Sequence, residues 1–496
     1  MYHPPSRRVR FWRKIRALSL MTAAVVAGAA VLTALTLGYG FDQKEGRLEQ
    51  GGLLQLNTQP TGATVTINGT QYGSRTPTKL SSHAGDYEVT MERKGYHEWK
   101  KTLPIQSGNI TWATYPRLIP TSLKPETVAE YPATAVGGLP SGSSRRYAVL
   151  EDISSPVVAV TRIDGDEVTT ERHTLPPEAF TAQQTETSSS RFSLEEWTGD
   201  EKHLLVRHTY GEPRAEEWLL FNLSEPEESI NITQLLGIGE PMREPIFTED
   251  NGSELYARIG SAVRIIDLDR ETLSRPLVQD VATYSVYGDG FVLYAKEAVD
   301  GKQEVGYVKE DYDEPRLVRT VENTTDEPAH FDIGKYYDKY YFLISHGTQA
   351  TLWSSRSVPD NSTSDLKLTH EQTMELDRPI IAAHMTDNGQ FATIQDGASF
   401  ATYNLEINQL SETKLALGAD KSAQEIEHLD RYLYWAMRDD TLRTYEFDGS
   451  NQHDIMQIDA RFGATLSPAG KYVYGVNKLD DGTYGLVRVK LLEIDS

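Results

Sequence analysis

The 496-residue chain contains no cysteine. Disulfides, thiolate metal sites and cysteine nucleophiles are therefore excluded. It has no His-Glu-x-x-His pair, no nucleophile elbow, no P-loop and no dinucleotide-binding glycine pattern. Basic charge is scarce over most of its length. Six of the 49 Lys and Arg residues precede Asp42, which leaves 43 against 72 acidic residues and a formal charge of −29 from there on. That balance argues against nucleic acid, and against an anionic membrane surface, as a partner of a basic patch. Solubility accounts for the acidity. Helical periodicity is also missing from 136 to 494.

What is present begins with Ala17 to Phe41, 25 residues without one charge. As a helix this stretch is roughly 37 Å long at about 1.5 Å per residue, enough to cross a hydrocarbon layer of about 30 Å with some tilt. Arg7, Arg8, Arg10, Arg13, Lys14 and Arg16 precede it, and no acid occurs before Asp42. By the positive-inside tendency, residues 1–16 form a cytoplasmic basic tail and the bulk is exported. A cleaved signal peptide is the competing reading. Its apolar core is shorter, about 7–15 residues, and ends at a small-x-small site. Here Ala27-Gly28-Ala29 falls in mid-stretch, so 17–41 is expected to remain as a transmembrane helix with the bilayer as its partner.

Residues 42–50 are polar and read as a spacer. Alternation follows in Ala63-Thr64-Val65-Thr66-Ile67, and Asn68-Gly69 suits a tight hairpin turn. Tyr87 to Met91 alternates again, between turns at Gly85-Asp86 and Lys94-Gly95. Residues 51–120 thus predict a small β-sandwich. In order, Pro60-Thr61-Gly62-Ala63, Val65, Ile67-Asn68-Gly69, Gly73, Thr76-Pro77, Gly85, Tyr87, Val89, Lys94-Gly95-Tyr96 and Gly108 resemble the PEGA domain, with Thr61 in place of the family's Glu. The resemblance implies a surface β-module of prokaryotic exported proteins, without catalysis.

Residues 121–135 contain two prolines and read as a linker. From 136 to 496 one pattern recurs: a turn, a strand rich in Tyr, Leu and Val, then a partner strand closed by Asp or Asn. The first of these strands begins near Tyr147, Leu204, Leu255, Phe291, Tyr341, Phe391, Tyr432 and Tyr472, in steps of 36 to 57 residues. Partner strands lie at Trp218 to Asn222, Val263 to Asp267, Phe400 to Asn404 and Leu442 to Asp448. Such a repeat predicts a β-propeller of seven or eight blades, because stacked four-stranded sheets bury the faces that one sheet alone cannot. Two ordinary β-sandwiches are the alternative. Ser467-Pro468-Ala469-Gly470-Lys471 is similar to the turn of TolB-type and WD-like propellers, with Ala469 replacing Asp. The fold class expected is all-β, behind one transmembrane helix.

Signals for chemistry are sparse. His203 and His208 are five apart and fall on opposite faces of a strand. A triad assembled from distant segments leaves no local motif. Glu310-Asp311-Tyr312-Asp313-Glu314 offers oxygen ligands but lacks the spacing of a calcium loop. Asp164 to Glu167 and Asp480 to Gly482 read as hairpin turns. Asn-x-Ser/Thr sequons occur at Asn68, Asn109, Asn222, Asn231, Asn251, Asn323 and Asn361. Tyr210, Tyr287 and Tyr312 suit a recognition face, since Tyr gives large contact area with few rotors to freeze. No catalytic, cofactor-binding or metal-binding residue is assigned. The function expected is an anchored extracytoplasmic binding or scaffold protein for an envelope protein or polysaccharide. The alternative is a propeller hydrolase or lyase acting on envelope glycans or peptides.

Overall fold

The computed structural model describes residues 7–36, 39–42, 47–181, 190–211, 214–248, 252–288, 290–310, 314–322, 328–358, 366–417 and 425–492. The chain divides into two compact units, Met1–Thr121 and Ser122–Ser496.

In the first unit one helix runs Arg7–Thr36. Its segment Lys14–Thr33 is long and apolar enough to cross a membrane. Leu18, Leu20, Met21 and Val31 are all exposed on it. The helix departs from the expected 17–41 at both ends. It starts within the basic run, and Tyr39–Asp42 instead pairs as a strand with Arg47–Gln50. Glycine disfavours helix while Tyr and Phe favour strand, so Tyr39-Gly40-Phe41 leaves the helix. The expected spacer is thereby partly a hairpin arm.

Two sheets follow. Thr78–Ser82, Gly52–Leu56 and Ile110–Ala113 form one; Thr70–Arg75, Thr64–Ile67, Gly85–Glu92 and Trp99–Ile105 form the other. Alternation buries Leu54, Leu56, Val65, Val89, Met91, Trp99 and Leu103 in a common core. Asn68 and Gly69 take φ of 48° and 75° in the tight hairpin, as the dipeptide predicts. Thr58 and Thr76, both buried, satisfy each other at 2.7 Å.

Among its described residues the second unit holds eight four-stranded antiparallel sheets. Sheet 1 comprises Gly137–Pro140, Arg146–Asp152, Ser155–Arg162 and Thr169–Thr174. Sheet 2 comprises Arg191–Trp197, His203–Tyr210, Ala215–Asn222 and Ile230–Asn231. Sheet 3 opens with Met242–Phe247, and sheets 4 to 7 open with Val281–Tyr287, His330–Tyr336, Ala382–Met385 and Glu427–His428. Sheet 8 joins Ala464–Leu466, Tyr472–Lys478 and Tyr484–Lys490 to Pro125–Tyr131. Such a series is consistent with a β-propeller.

Consecutive sheets share cores. Leu150, Val158, Phe192 and Phe221 lie between sheets 1 and 2. Leu205, Leu220, Met242 and Ile266 lie between sheets 2 and 3. Side-chain hydrogen bonds reinforce these joints. Trp197 donates to the Leu139 carbonyl at 3.0 Å, Trp218 to that of Met242 at 3.1 Å, and Gln395 to that of Ile426 at 3.1 Å. Sheet 8 packs Tyr472, Tyr474 and Leu486 on Tyr147 and Val149 of sheet 1.

Two expectations need correction. Residues 121–135 are not simply a linker, because Pro125–Tyr131 pairs with Tyr484–Lys490 and covers what would be an open edge. Pro125 sits at the strand's first residue, where proline is tolerated. The recurring strands that begin near Tyr147 to Tyr472 are the second strands of their sheets, not the first. One helical turn, Ile232–Leu235, also interrupts the β pattern, capped by Asn231, whose side chain accepts the Gln234 N–H at 3.0 Å.

Candidate functional site

Sheet 2 carries two clusters of polar side chains, and strand alternation sorts them onto two faces. His208 and Glu217 are directly paired across strands and face sheet 1. Arg207, Thr209, Glu216 and Trp218 are their neighbours in sequence and face the other way.

The face toward sheet 1 is sealed. His208 and Glu217 are 0% and 1% exposed, with Nδ1 to Oε1 at 2.8 Å. An ionised carboxylate only accepts, so Nδ1 carries the proton. Glu217 also accepts from the Thr181 N–H at 2.7 Å, the Thr181 hydroxyl at 2.8 Å, Asn231 at 2.9 Å and Gln234 at 3.2 Å. Burial works to raise its pKa, but the hydrogen bonds from His208, Asn231 and Thr181 outweigh it and lower the group to about 2. On the far side of the imidazole, Nε2 meets the hydroxyl of half-buried Ser190. The ring stacks between Phe192 at 4.3 Å and Tyr210 at 5.0 Å, with Phe180 edge-on. Ser190, His208 and Glu217 thus have the connectivity of a nucleophile, base and orienting acid.

The face toward sheet 3 opens into a cleft of about 650 Å³. Arg191, Arg207, Arg214 and Arg243 line it, against Glu216 and Glu240. Ile238, Pro241, Met242 and the edge of Trp218 supply apolar wall. Arg207 lies over the Trp218 ring at 5.9 Å and pairs with Glu195 at 3.0 Å. Glu216 holds Arg243 at 3.0 Å and Arg207 at 3.9 Å.

A third feature is the set of opening strands. Burial pushes Glu196 of sheet 2 up to about 7 and Asp332 of sheet 5 up to about 6. In sheet 7, Glu427 is pushed up to about 7 and His428 down to about 4. Both side chains of that pair reach solvent.

Of the residues singled out in the sequence, His203 and His208 do fall on opposite faces; His203 lies 4.0 Å from Asp200. Ser190 and Glu217 carried no local signal, since their pairing depends on strand register. Asp164 to Glu167 and Asp480 to Gly482 lie in hairpin connections. Tyr210 and Tyr287 end strands, and Tyr210 is committed to the His208 stack. The acidic run at 311–313, with Tyr312, lies outside the described residues, as do Asn251, Asn323 and Asn361. Asn222 caps the turn after its strand, accepting from Ser224 and Glu225. Among the described residues no group of three or more His, Asp or Glu side chains is placed to hold a metal ion.

Among known proteins, no curated protein matches the chain. Solved structures similar to it include Hsv2p of Kluyveromyces lactis, at 10% identity over 63% of this chain and 92% of that one, with a TM-score of 0.40. A prolyl endopeptidase is similar at 12% identity over 71% of this chain and 54% of its own, with a TM-score of 0.44. A chain of the mitotic checkpoint complex is similar at 10% identity over 67% and 99%, with a TM-score of 0.39. Residues 52–118 match the PEGA domain, and this module is thereby identified.

Proposed function

We propose that the chain is a single-pass protein of a bacterial envelope, anchored by its N-terminal helix, with residues 1–16 in the cytoplasm and the bulk outside. The basic residues ahead of Lys14–Thr33 support that orientation, and the PEGA domain supports export. The second unit is an eight-bladed propeller closed by its own first strand. Support comes from sheet 8, which draws on both ends of the unit, and from the cores shared by sheets 1 to 6 in succession and by sheets 8 and 1. The kinship to TolB-type and WD-like propellers rests on the turn at Ser467 to Lys471.

Its role is to bind an envelope protein or wall polysaccharide. The open cleft between sheets 2 and 3 carries this reading, because its charged groups are only partly matched among the described residues. The test is co-sedimentation of the detergent-solubilised full chain with wall sacculi, and co-purification with envelope proteins after crosslinking in intact cells. Specific recovery of either is expected. Recovery no better than with an unrelated anchored protein would refute a binding role.

A hydrolase is the second reading, favoured by the Ser190–His208–Glu217 array. Hydrolysis of ester or peptide probes by the full chain, abolished by Ser190→Ala without loss of melting temperature, would establish it. Equal turnover by the variant would dismiss it.

A further inference from the structure

We propose that the cleft between sheets 2 and 3 is a binding site for an acidic peptide segment, with Arg191 and Arg214 as its carboxylate anchors. This rests on the binding role just proposed and deepens it by naming the ligand class.

Charge sets the cleft apart from its surroundings. From Asp42 on, 43 basic residues face 72 acidic ones, yet here four arginines stand against Glu216, Glu240 and the Glu195 that pairs with Arg207. A local excess of arginine against that background is an outlier that solubility does not explain.

The four arginines are not equivalent. Arg207 and Arg243 are held by Glu195 and Glu216, so their charge is matched in place. Arg191 and Arg214 meet no carboxylate among the described residues, and both are exposed. Both line the same stretch of the cleft: Arg191 is the backbone cross-strand partner of Thr209, and Arg214 donates to the Thr209 hydroxyl at 3.0 Å. Two guanidinium groups lining one cleft, neither paired with a carboxylate among the described residues, suit a carboxylate ligand.

The remaining wall selects between ligand classes. Ile238 and Pro241 offer apolar surface beside the arginines, which suits aliphatic side chains. A sugar ring would need an open aromatic platform, and Trp218 is only 5% exposed and already covered by Arg207. The cleft therefore fits a peptide that alternates carboxylate and aliphatic side chains better than an acidic glycan. Its volume lies in the range of ordinary ligand sites.

The experiment uses the full chain in detergent and three fluorescent probes: a hexapeptide of alternating Leu and Glu, its Gln-for-Glu counterpart, and an oligogalacturonate. The Glu peptide is expected to bind at least tenfold more tightly than either of the others, and more weakly as salt rises. Arg191→Gln with Arg214→Gln should cost tenfold or more in affinity at an unchanged melting temperature, while Arg243→Gln should cost less than threefold. Equal binding of the Glu and Gln peptides, no binding of the Glu peptide, full binding by the double variant, or preference for the oligogalacturonate would each overturn the proposal. Envelope binding that survives the double variant would sink this assignment alone and leave the broader binding role intact.

Discussion

Glu216 and Glu217 are adjacent in sequence and opposite in circumstance. Glu217 faces sheet 1, is buried, and accepts from five donor groups that hold it ionised. Glu216 faces the cleft and is shared between two arginines. A buried carboxylate persists only when its lone pairs are satisfied, as those of Glu217 are. An open face can leave charge unmatched at little cost, so the cleft can be shaped for a partner. The two faces differ in internal pairing rather than in polarity.

That contrast can be broken at several points. Glu217→Ala strands the Thr181, His208 and Asn231 donors in a buried place and should cost about 3–5 kcal/mol, read by urea unfolding of the full chain in detergent. Asn231→Ala removes both a donor to Glu217 and the cap of the helical turn, and should cost about 2 kcal/mol in the same assay. Glu216→Ala, on the open face, should cost about 1 kcal/mol or less. If Glu216→Ala proved as damaging as Glu217→Ala, the division between the two faces would fail.

Acidity sharpens the same comparison. Glu217 is held at about 2, below its ordinary 4.5. Its stabilisation is therefore complete above pH 4.5 and is lost as pH falls toward 2. The stability gap between the parent and Glu217→Ala should narrow over that interval. Glu196 runs the opposite way, because burial raises it to about 7. The parent should lose stability as pH rises from about 4.5 through 7, and Glu196→Gln should flatten that loss. A parallel pH profile for parent and variant would contradict the assigned environment.

Much of the fold was legible because hairpins with buried faces impose alternation. Val65 with Ile67 and Val89 with Met91 announced the PEGA sheets, and the Tyr-, Leu- and Val-rich second strands announced each later sheet. The opening strands were silent. Gly137–Pro140 contains two glycines and a proline, and Glu427–His428 is two polar residues long. Pro125–Tyr131 was hidden by Pro125 and Pro132, and pairing with a strand at the opposite end of the unit leaves no local trace. The polar sites were hidden for the same reason. His208 meets Glu217 through strand register, and Ser190 arrives from the preceding strand's approach. The cleft's arginines are spread from Arg191 to Arg243.

The absence of cysteine makes the most direct test clean, because a single introduced thiol is the only one in the chain. Val299→Cys, at an exposed position of the second unit, and Ser6→Cys, in the basic tail, would each be made in the full chain and treated in intact cells with a membrane-impermeant maleimide. Labelling of Val299→Cys before lysis, and of Ser6→Cys only after it, is the predicted result. Protection of Val299→Cys in intact cells, with labelling on lysis, would contradict an outward-facing anchored protein.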